Sequence, residues 1–211
     1  MKHLSVALFL VLSASPAFAA DMVRSYSYYT LDATTLDELT KQFGSRGPKV
    51  ESSGLKHPGA TRMQFTTRTT YARERDRCRV LKARTVLKVE VILPRWRPRH
   101  KPEADMRIIW DTLDSDIRRH EGLHTDIAKN YARKLEQSIE ALGPADTCDE
   151  MAAKVKKKTN MVLDEHDRAQ QQFDRVESIN FENRFQNLLD YRLKRMEDLR
   201  SRAFGSPRHH N

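Results

Sequence analysis

Apolar and polar residues alternate along two stretches in the first half of the chain. Over residues 63–71 the odd positions are apolar or threonine, and over residues 81–91 the odd positions are again mainly apolar, whereas most even ones are charged. A period of two places these two sets of side chains on opposite faces of a β-strand. The stretches therefore predict two half-buried strands that are neighbours in an antiparallel sheet.

The residues before these strands predict a further strand and a short helix. Residues 23–30 are rich in tyrosine and other strand-forming types. Thr35 and Glu38 have the spacing of a capping box, in which the threonine side chain accepts a hydrogen bond from the first helical turn. We expect Gly44 to end this helix.

The pattern changes to that of helices after the proline-rich residues 94–102, which we expect to end the last strand. An apolar stripe predicts one long helix over residues 104–142, which ends at a Gly-Pro pair. Thr147 and Glu150 form a second capping box, which opens the returning helix of an antiparallel hairpin. Residues 185–203 predict a C-terminal helix, whose Leu, Tyr and Met stripe packs on its own domain or binds a partner.

The predicted fold class is therefore α+β, in a single domain over residues 20–205. A small antiparallel sheet with a short N-terminal helix occupies residues 20–94. The long helix, the antiparallel helix hairpin and the C-terminal helix occupy residues 104–205. Residues 206–211 are expected to form a disordered tail.

Residues 1–19 have the pattern of a secretory signal peptide. They combine a basic start at Lys2, an apolar run and the small-residue pattern Ala-Phe-Ala that ends at Ala19. An uncleaved anchor is the alternative, although the apolar run is shorter than the roughly 20 residues that span a bilayer. We expect cleavage after Ala19 and a periplasmic or secreted protein.

Two cysteines, Cys78 and Cys148, are the only ones in the chain. In an oxidising compartment they are expected to form one disulfide, which would stabilise the fold by about 4 kcal/mol. Two unrelated buried thiols are the alternative.

The chain is basic, with 38 Lys+Arg against 29 Asp+Glu and a formal net charge of +9. A charged fraction of 32% excludes a polytopic membrane protein. Outside the cytoplasm nucleic acid is not an expected partner, so we expect the charge to serve peripheral contacts with anionic envelope surfaces. Lys/Arg-rich segments occur at residues 73–84, 95–101, 154–158 and 192–202.

A motif that carries chemistry interrupts the apolar stripe of the long helix. Residues 120–124 read His-Glu-Gly-Leu-His, which is the HExxH pattern. His120 and His124 lie on one helix face, so both imidazoles can reach one Zn²⁺ ion, and Glu121 can act as general base. Two core histidines beside a solvated Glu121 are the alternative.

A catalytic zinc ion usually has a third protein ligand. If the helix hairpin turns near residue 145, His124 lies opposite His166, which also belongs to the inward stripe of the second helix. His166 is therefore the predicted ligand. Glu165, the weaker candidate Asp164, and the more distant Asp174 remain alternatives.

This layout resembles a group of bacterial proteins described as predicted secreted Zn-dependent proteases, long catalogued as a domain of unknown function. The shared features are the signal peptide, Cys78 before a strand that ends at residues 93–96, Trp110, residues 120–124, Cys148, and Phe173 with Asp174. The resemblance extends from Tyr26 to Asp174 and implies a zincin-like fold and metallopeptidase activity. Members of the group often continue with a Thr-x-His-Gly-like segment, in which this chain has Asn180 in place of the histidine.

The main functional hypothesis is hydrolysis of peptide or protein substrates in the cell envelope by a Zn²⁺-activated water. Tyr131 and Tyr191 are candidates for stabilising the transition state, although both also fit a packing role. An exposed sheet edge could hold an extended peptide. The alternative is a noncatalytic, basic envelope binding or assembly protein with a structural or vestigial metal site. The sequence predicts neither the substrate nor the oligomeric state.

Overall fold

The computed structural model describes residues 21–50, 54–98, 100–103 and 105–204. Within these residues the elements in chain order are β1 (Asp21–Leu31), α1 (Leu36–Arg46), β2 (Ala60–Glu74), β3 (Arg77–Trp96), α2 (Met106–Glu140) and α3 (Cys148–Phe204). The predicted α+β class is confirmed. The predicted signal peptide and the predicted disordered tail lie outside the described residues.

The three strands form one sheet in the order β1-β3-β2. β2 and β3 pair antiparallel, as predicted, from Ala60 opposite Ile92 to Glu74 opposite Arg77. β1 pairs parallel with β3, so the sheet is mixed and not wholly antiparallel. The chain reverses direction between β1 and β2 and again between β2 and β3, and β3 then enters between the other two strands. The two outer strands are consequently antiparallel to each other, while β1 and β3 run the same way.

β3 extends two residues beyond Pro94, where the sequence predicts its end. The pairing with β2 stops at Ile92, whereas the pairing with β1 continues to Trp96. Beyond Ile92 the strand therefore has a neighbour on one side only, which is a position where proline is tolerated.

α1 and α3 begin where the capping boxes predict. The Thr35 Oγ1 atom accepts a hydrogen bond from the Glu38 amide at 3.2 Å, and Thr147 Oγ1 accepts one from the Glu150 amide at 3.1 Å. α1 ends at Arg46, two residues after the predicted Gly44. The predicted second and C-terminal helices are one continuous helix of 57 residues.

The helices cover one face of the sheet, and the core lies between the helices and the sheet. Apolar residues of β3 pack against alanines of α2 in the centre of this layer, and the central cluster contains Leu87, Val89, Val91, Leu93, Ala128 and Ala132. The predicted disulfide between Cys78 and Cys148 is confirmed and joins the start of β3 to the start of α3. No helix in the described part of the chain combines the length and apolar character needed to cross a membrane.

Candidate metal centre

Two histidines project from the same face of α2 toward α3. The Nε2 atoms of His120 and His124 lie 3.0 Å apart. Phe173 of α3 contacts both rings, with ring centroids 4.9 Å apart in each case. The helical spacing of the motif thus brings two imidazole nitrogens to one point, as the sequence predicts.

Asp174 of α3 completes a group of three potential ligands. Its Oδ1 atom lies 2.9 Å from His124 Nε2 and 3.3 Å from His120 Nε2. Ligand atoms held 2.0–2.1 Å from a tetrahedral Zn²⁺ ion are about 3.3 Å from one another. Two imidazoles and a carboxylate are also donors that zinc accepts, so the group fits this ion.

His166, the ligand predicted from the hairpin geometry, lies outside this triangle of atoms. Gln170 separates it from the site, because its Nε2 atom is 2.9 Å from His166 Nε2 and its Oε1 atom is 2.6 Å from His124 Nδ1. In this arrangement His124 Nδ1 donates its hydrogen to the glutamine carbonyl. His124 Nε2 is therefore the ring atom that faces His120 and Asp174, and it can bind a metal ion once it has lost its proton.

The position of the hairpin turn accounts for this difference. Contacts of His124 with Gln170 and of His120 with Asp174 centre the hairpin near residue 147, two residues after the expected pivot. The connection is longer than a tight turn because Ala145 forms an antiparallel bridge with the start of β3. Each residue of α2 therefore faces a residue of α3 that lies about one helical turn further along the chain than a turn at residue 145 predicts.

The other candidate residues on α3 lie away from the triangle. Glu165 forms an ion pair with Lys134, and this contact lowers the pKa of Glu165. Asp164 is exposed. Asn180 is exposed and donates a hydrogen bond to the Val176 carbonyl at 2.8 Å.

The carboxylate of Asp174 is ionised and accessible. Burial alone would raise the pKa of Asp174, but hydrogen bonds and charge contacts with His120 and His124 hold it well below its ordinary value. Its side chain is 47% exposed, against 26% for His120 and 11% for His124. The group therefore opens to solvent on the side of Asp174.

A second carboxylate, that of Glu177, contacts the ring nitrogen of His120 that does not face Asp174. Glu177 Oε2 lies 3.5 Å from His120 Nδ1, and Glu177 is itself held by Arg119 and by Arg184, whose Nη2 atom lies 3.2 Å away. The same two arginines bind Asp116, with Arg184 Nε and Arg119 Nε donating at 2.8 and 3.1 Å. Carboxylates that contact the outer nitrogen of a metal-binding histidine fix its ring orientation.

Gln170 and Glu177 were not identified from the sequence. Together with Asp174 they follow an i, i+4, i+7 series, so they lie on the face of α3 that meets α2. Polar side chains at inward positions of a helix were the available signal, because such groups need partners when they are buried.

Glu121 lies in a closed environment between α2 and the start of β2. It is 4% exposed, and its Oε2 atom accepts a hydrogen bond from Thr61 Oγ1 at 2.7 Å. Burial raises the pKa of Glu121, against the opposing effects of Thr61 and the two histidines. The raised pKa makes the carboxylate a better proton acceptor than an exposed glutamate.

Tyr29 of β1 also belongs to this environment and was not predicted. Its hydroxyl donates a hydrogen bond to the Pro58 carbonyl at 2.7 Å. Burial, followed by the negative charge of Glu121, raises the pKa of Tyr29. The phenol therefore remains protonated near the carboxylate.

Residues 26–182 match a family described as "Bacterial protein of unknown function (DUF922)". The chain matches no curated protein and no solved structure. The match agrees with the bacterial family of unknown function that the motifs resemble, and its description names no activity. A disulfide in a bacterial protein is typical of a location outside the cytoplasm.

Proposed function

The chain belongs to the DUF922 family of bacterial proteins of unknown function, and we propose that it is a zinc-dependent metallopeptidase of the periplasm or of the secreted fraction. One observation carries the proposal. Two imidazole nitrogens and one carboxylate oxygen lie 2.9–3.3 Å from one another beside a buried glutamate of an HExxH motif.

His120, His124 and Asp174 would hold the metal ion in this proposal. This set differs from the sequence prediction, which favoured His166 as the third ligand. A bound Zn²⁺ supplies Lewis-acid activation of a water molecule and of the substrate carbonyl. The exposure of Asp174 leaves one side of the group open to solvent, as a catalytic site requires.

Glu121 has the role of general base. It accepts the proton that the attacking water releases and returns it to the amine that leaves. Thr61 fixes one carboxylate oxygen, and the backbone at Gly59 packs against the other. These contacts hold the base in one position, which favours catalysis because the geometry exists before substrate binds.

The substrate class is a peptide or protein in the cell envelope. This part of the proposal is supported by the predicted signal peptide and by the disulfide. Glu121→Gln tests the chemistry, with zinc measured by mass spectrometry on the purified mature chain and cleavage measured on a peptide library. We expect one zinc per chain and no cleavage by the variant. A cleavage activity that survives this change would contradict the mechanism.

Two further variants identify the third ligand. Asp174→Ala is expected to lose zinc, whereas His166→Ala is expected to retain it. Loss of zinc from His166→Ala alone would return the ligand role to His166. A zinc-loaded protein that cleaves no peptide, with or without Glu121, would favour the noncatalytic binding protein.

A further inference from the structure

The β2–β3 hairpin, at the disulfide end of the fold, turns through a strained residue. Arg75 and Asp76 form its two-residue connection, and Arg75 has a φ of 55°. This left-handed conformation is uncommon for residues other than glycine, which is the preferred type at such turn positions. An arginine here is unfavourable for folding, so its side chain is a candidate for a functional role.

A cavity of about 550 Å³ lies beside this turn and is lined mainly by arginines. Its lining residues are Glu74, Arg75, Arg77, Arg79 and Pro144. Arg77 and Arg79 flank the buried Cys78 in β3, so their side chains lie on the sheet face opposite the core. Three guanidinium groups, one from the turn and two from β3, therefore border one concave space.

Among the residues that line the cavity, three arginines outnumber the one carboxylate, that of Glu74, and Asp76 of the turn is not part of this lining. Arg79 Nη2 binds Glu74 Oε1 at 2.6 Å. Arg77 Nε lies 3.7 Å from Asp146, and both side chains are largely exposed, at 59% and 82%, so this contact is weak. Within the part of the chain that the structure describes, Arg75 has no ion-pair partner.

The wall of the cavity is fixed by covalent and backbone contacts. Pro144 belongs to the α2–α3 connection, where Ala145 exchanges backbone hydrogen bonds of 2.8 and 2.9 Å with Cys78. The disulfide from Cys78 to Cys148 secures the same connection from its other side. The backbone of β3 and the facing loop thus keep their spacing without a ligand.

We propose that this cavity binds an organic phosphate, at a site separate from the metal centre. Guanidinium groups bind phosphate oxygens through paired hydrogen bonds and remain charged at every physiological pH. The cavity is open to solvent and larger than one inorganic phosphate, so it admits a phosphate group that belongs to a larger organic molecule. The proposed ligand is therefore an organic molecule that carries one or more phosphate groups.

The separation from the metal centre is large. Asp174 lies about 40 Å along α3 from the disulfide, at about 1.5 Å per helical residue. The phosphate can be part of a soluble molecule or of an envelope lipid headgroup. These sources share the same chemistry at the arginines, and the experiment distinguishes them.

Isothermal titration calorimetry of the full mature chain with inositol hexakisphosphate at fixed ionic strength tests the proposal. Arg75→Gln combined with Arg77→Gln is expected to weaken binding by about ten-fold or more. The matched control is Arg200→Gln combined with Arg202→Gln, which removes the same charge from exposed positions at the far end of α3. This control is expected to stay within about two-fold of the unchanged protein.

Cosedimentation with phosphatidylcholine vesicles, with and without phosphatidylglycerol, tests whether the phosphate belongs to a lipid headgroup. Binding to the anionic vesicles alone, lost in the Arg75/Arg77 variant, identifies a lipid source, whereas binding of the hexakisphosphate identifies a soluble one. Equal losses in the control pair would show an effect of net charge only and overturn the proposal. Absence of binding to both probes would overturn it as well.

Arg75→Gly supplies a variant that is not expected to impair folding. Glycine removes the strain of the left-handed conformation, so the melting temperature is expected to rise while binding weakens. If the variant gains stability and binds the probe as tightly as the unchanged protein, Arg75 does not belong to the binding site.

Discussion

Gly59 lies against the carboxylate of Glu121, and alanine at this position tests whether that carboxylate must stay where it is. A Cβ atom at residue 59 would be 2.6 Å from Glu121 Oε1 and 2.9 Å from Ile117 Cγ2. Since ordinary contacts of this kind begin near 3.4 Å, the carboxylate would have to move by about 0.8 Å. Thr61 and the surrounding core restrict that movement, because the side chain is 4% exposed.

The expected effect on catalysis follows from this displacement. Misplacing a catalytic group by about 1 Å lowers the rate by about 100-fold. Overpacking of this kind also destabilises a fold by about 1–3 kcal/mol. We therefore expect Gly59→Ala to bind one zinc per chain, to unfold at a lower temperature and to lose about 100-fold in kcat.

Gly122→Ala is the matched control, because residue 122 also neighbours Glu121 but has open space around its Cβ position. Alanine at this helical position is expected to raise stability by up to about 1 kcal/mol and to leave kcat unchanged. Peptide cleavage, zinc content and thermal unfolding are measured on all three proteins. If Gly59→Ala cleaves as fast as the unchanged protein, the position of Glu121 does not control the reaction.

Three further predictions concern the support of the site. Replacing both cysteines by serine opens a 70-residue loop and should lower the free energy of unfolding by about 4 kcal/mol, measured by urea denaturation. Glu177→Gln should weaken zinc binding by about 10–100-fold in a chelator competition, whereas the exposed Glu182→Gln should not. Burial alone would raise the pKa of Asp116, but Arg184 and Arg119 hold it below its ordinary value. Its stabilising effect is therefore complete above its unfolded pKa of about 3.9 and is lost as the pH falls through the folded value. Asp116→Asn should accordingly lower stability by about 1–3 kcal/mol at neutral pH and show a weaker acid destabilisation, measured as melting temperature against pH.

Local periodicity was sufficient to predict most of the elements. The alternation in β2 and β3 and the apolar stripe of α2 each arise from contacts with one neighbouring layer, so they are visible in a short window of sequence. The sequence predicted an antiparallel sheet, and the parallel direction of β1 was missed, because a strand-forming sequence fits parallel and antiparallel pairing alike. The continuity of α3 was also missed, since the apolar stripe weakens after Val176 although neither glycine nor proline interrupts the helix.

In the candidate site, too, the residues that depend on local geometry were predicted, and those that depend on a long-range contact were not. His120 and His124 are fixed by the geometry of one helix, so their convergence follows from a spacing of four residues. Asp174 depends on how α3 is placed along α2, and that placement depends on the bridge between Ala145 and Cys78. A contact between a loop and a strand that are distant in sequence has no local signature. Because of this contact, the residues of α3 that face the two histidines belong to the polar series that contains Asp174, and His166 is not among them.

The position of Asp174, and not His166, beside His120 and His124 also has an electrostatic reason. Side-chain exposure rises from 6% at His166 through 11% at His124 and 26% at His120 to 47% at Asp174. Burial lowers the pKa of His166, so a neutral imidazole is the form that its position favours. An ionised carboxylate is unfavourable at the same depth but is stabilised at the rim, where water and the two histidines contact it. The gradient therefore places Asp174, the negatively charged candidate ligand, at the solvent side of the group, and a substrate carbonyl that approaches the proposed zinc ion would enter from that side.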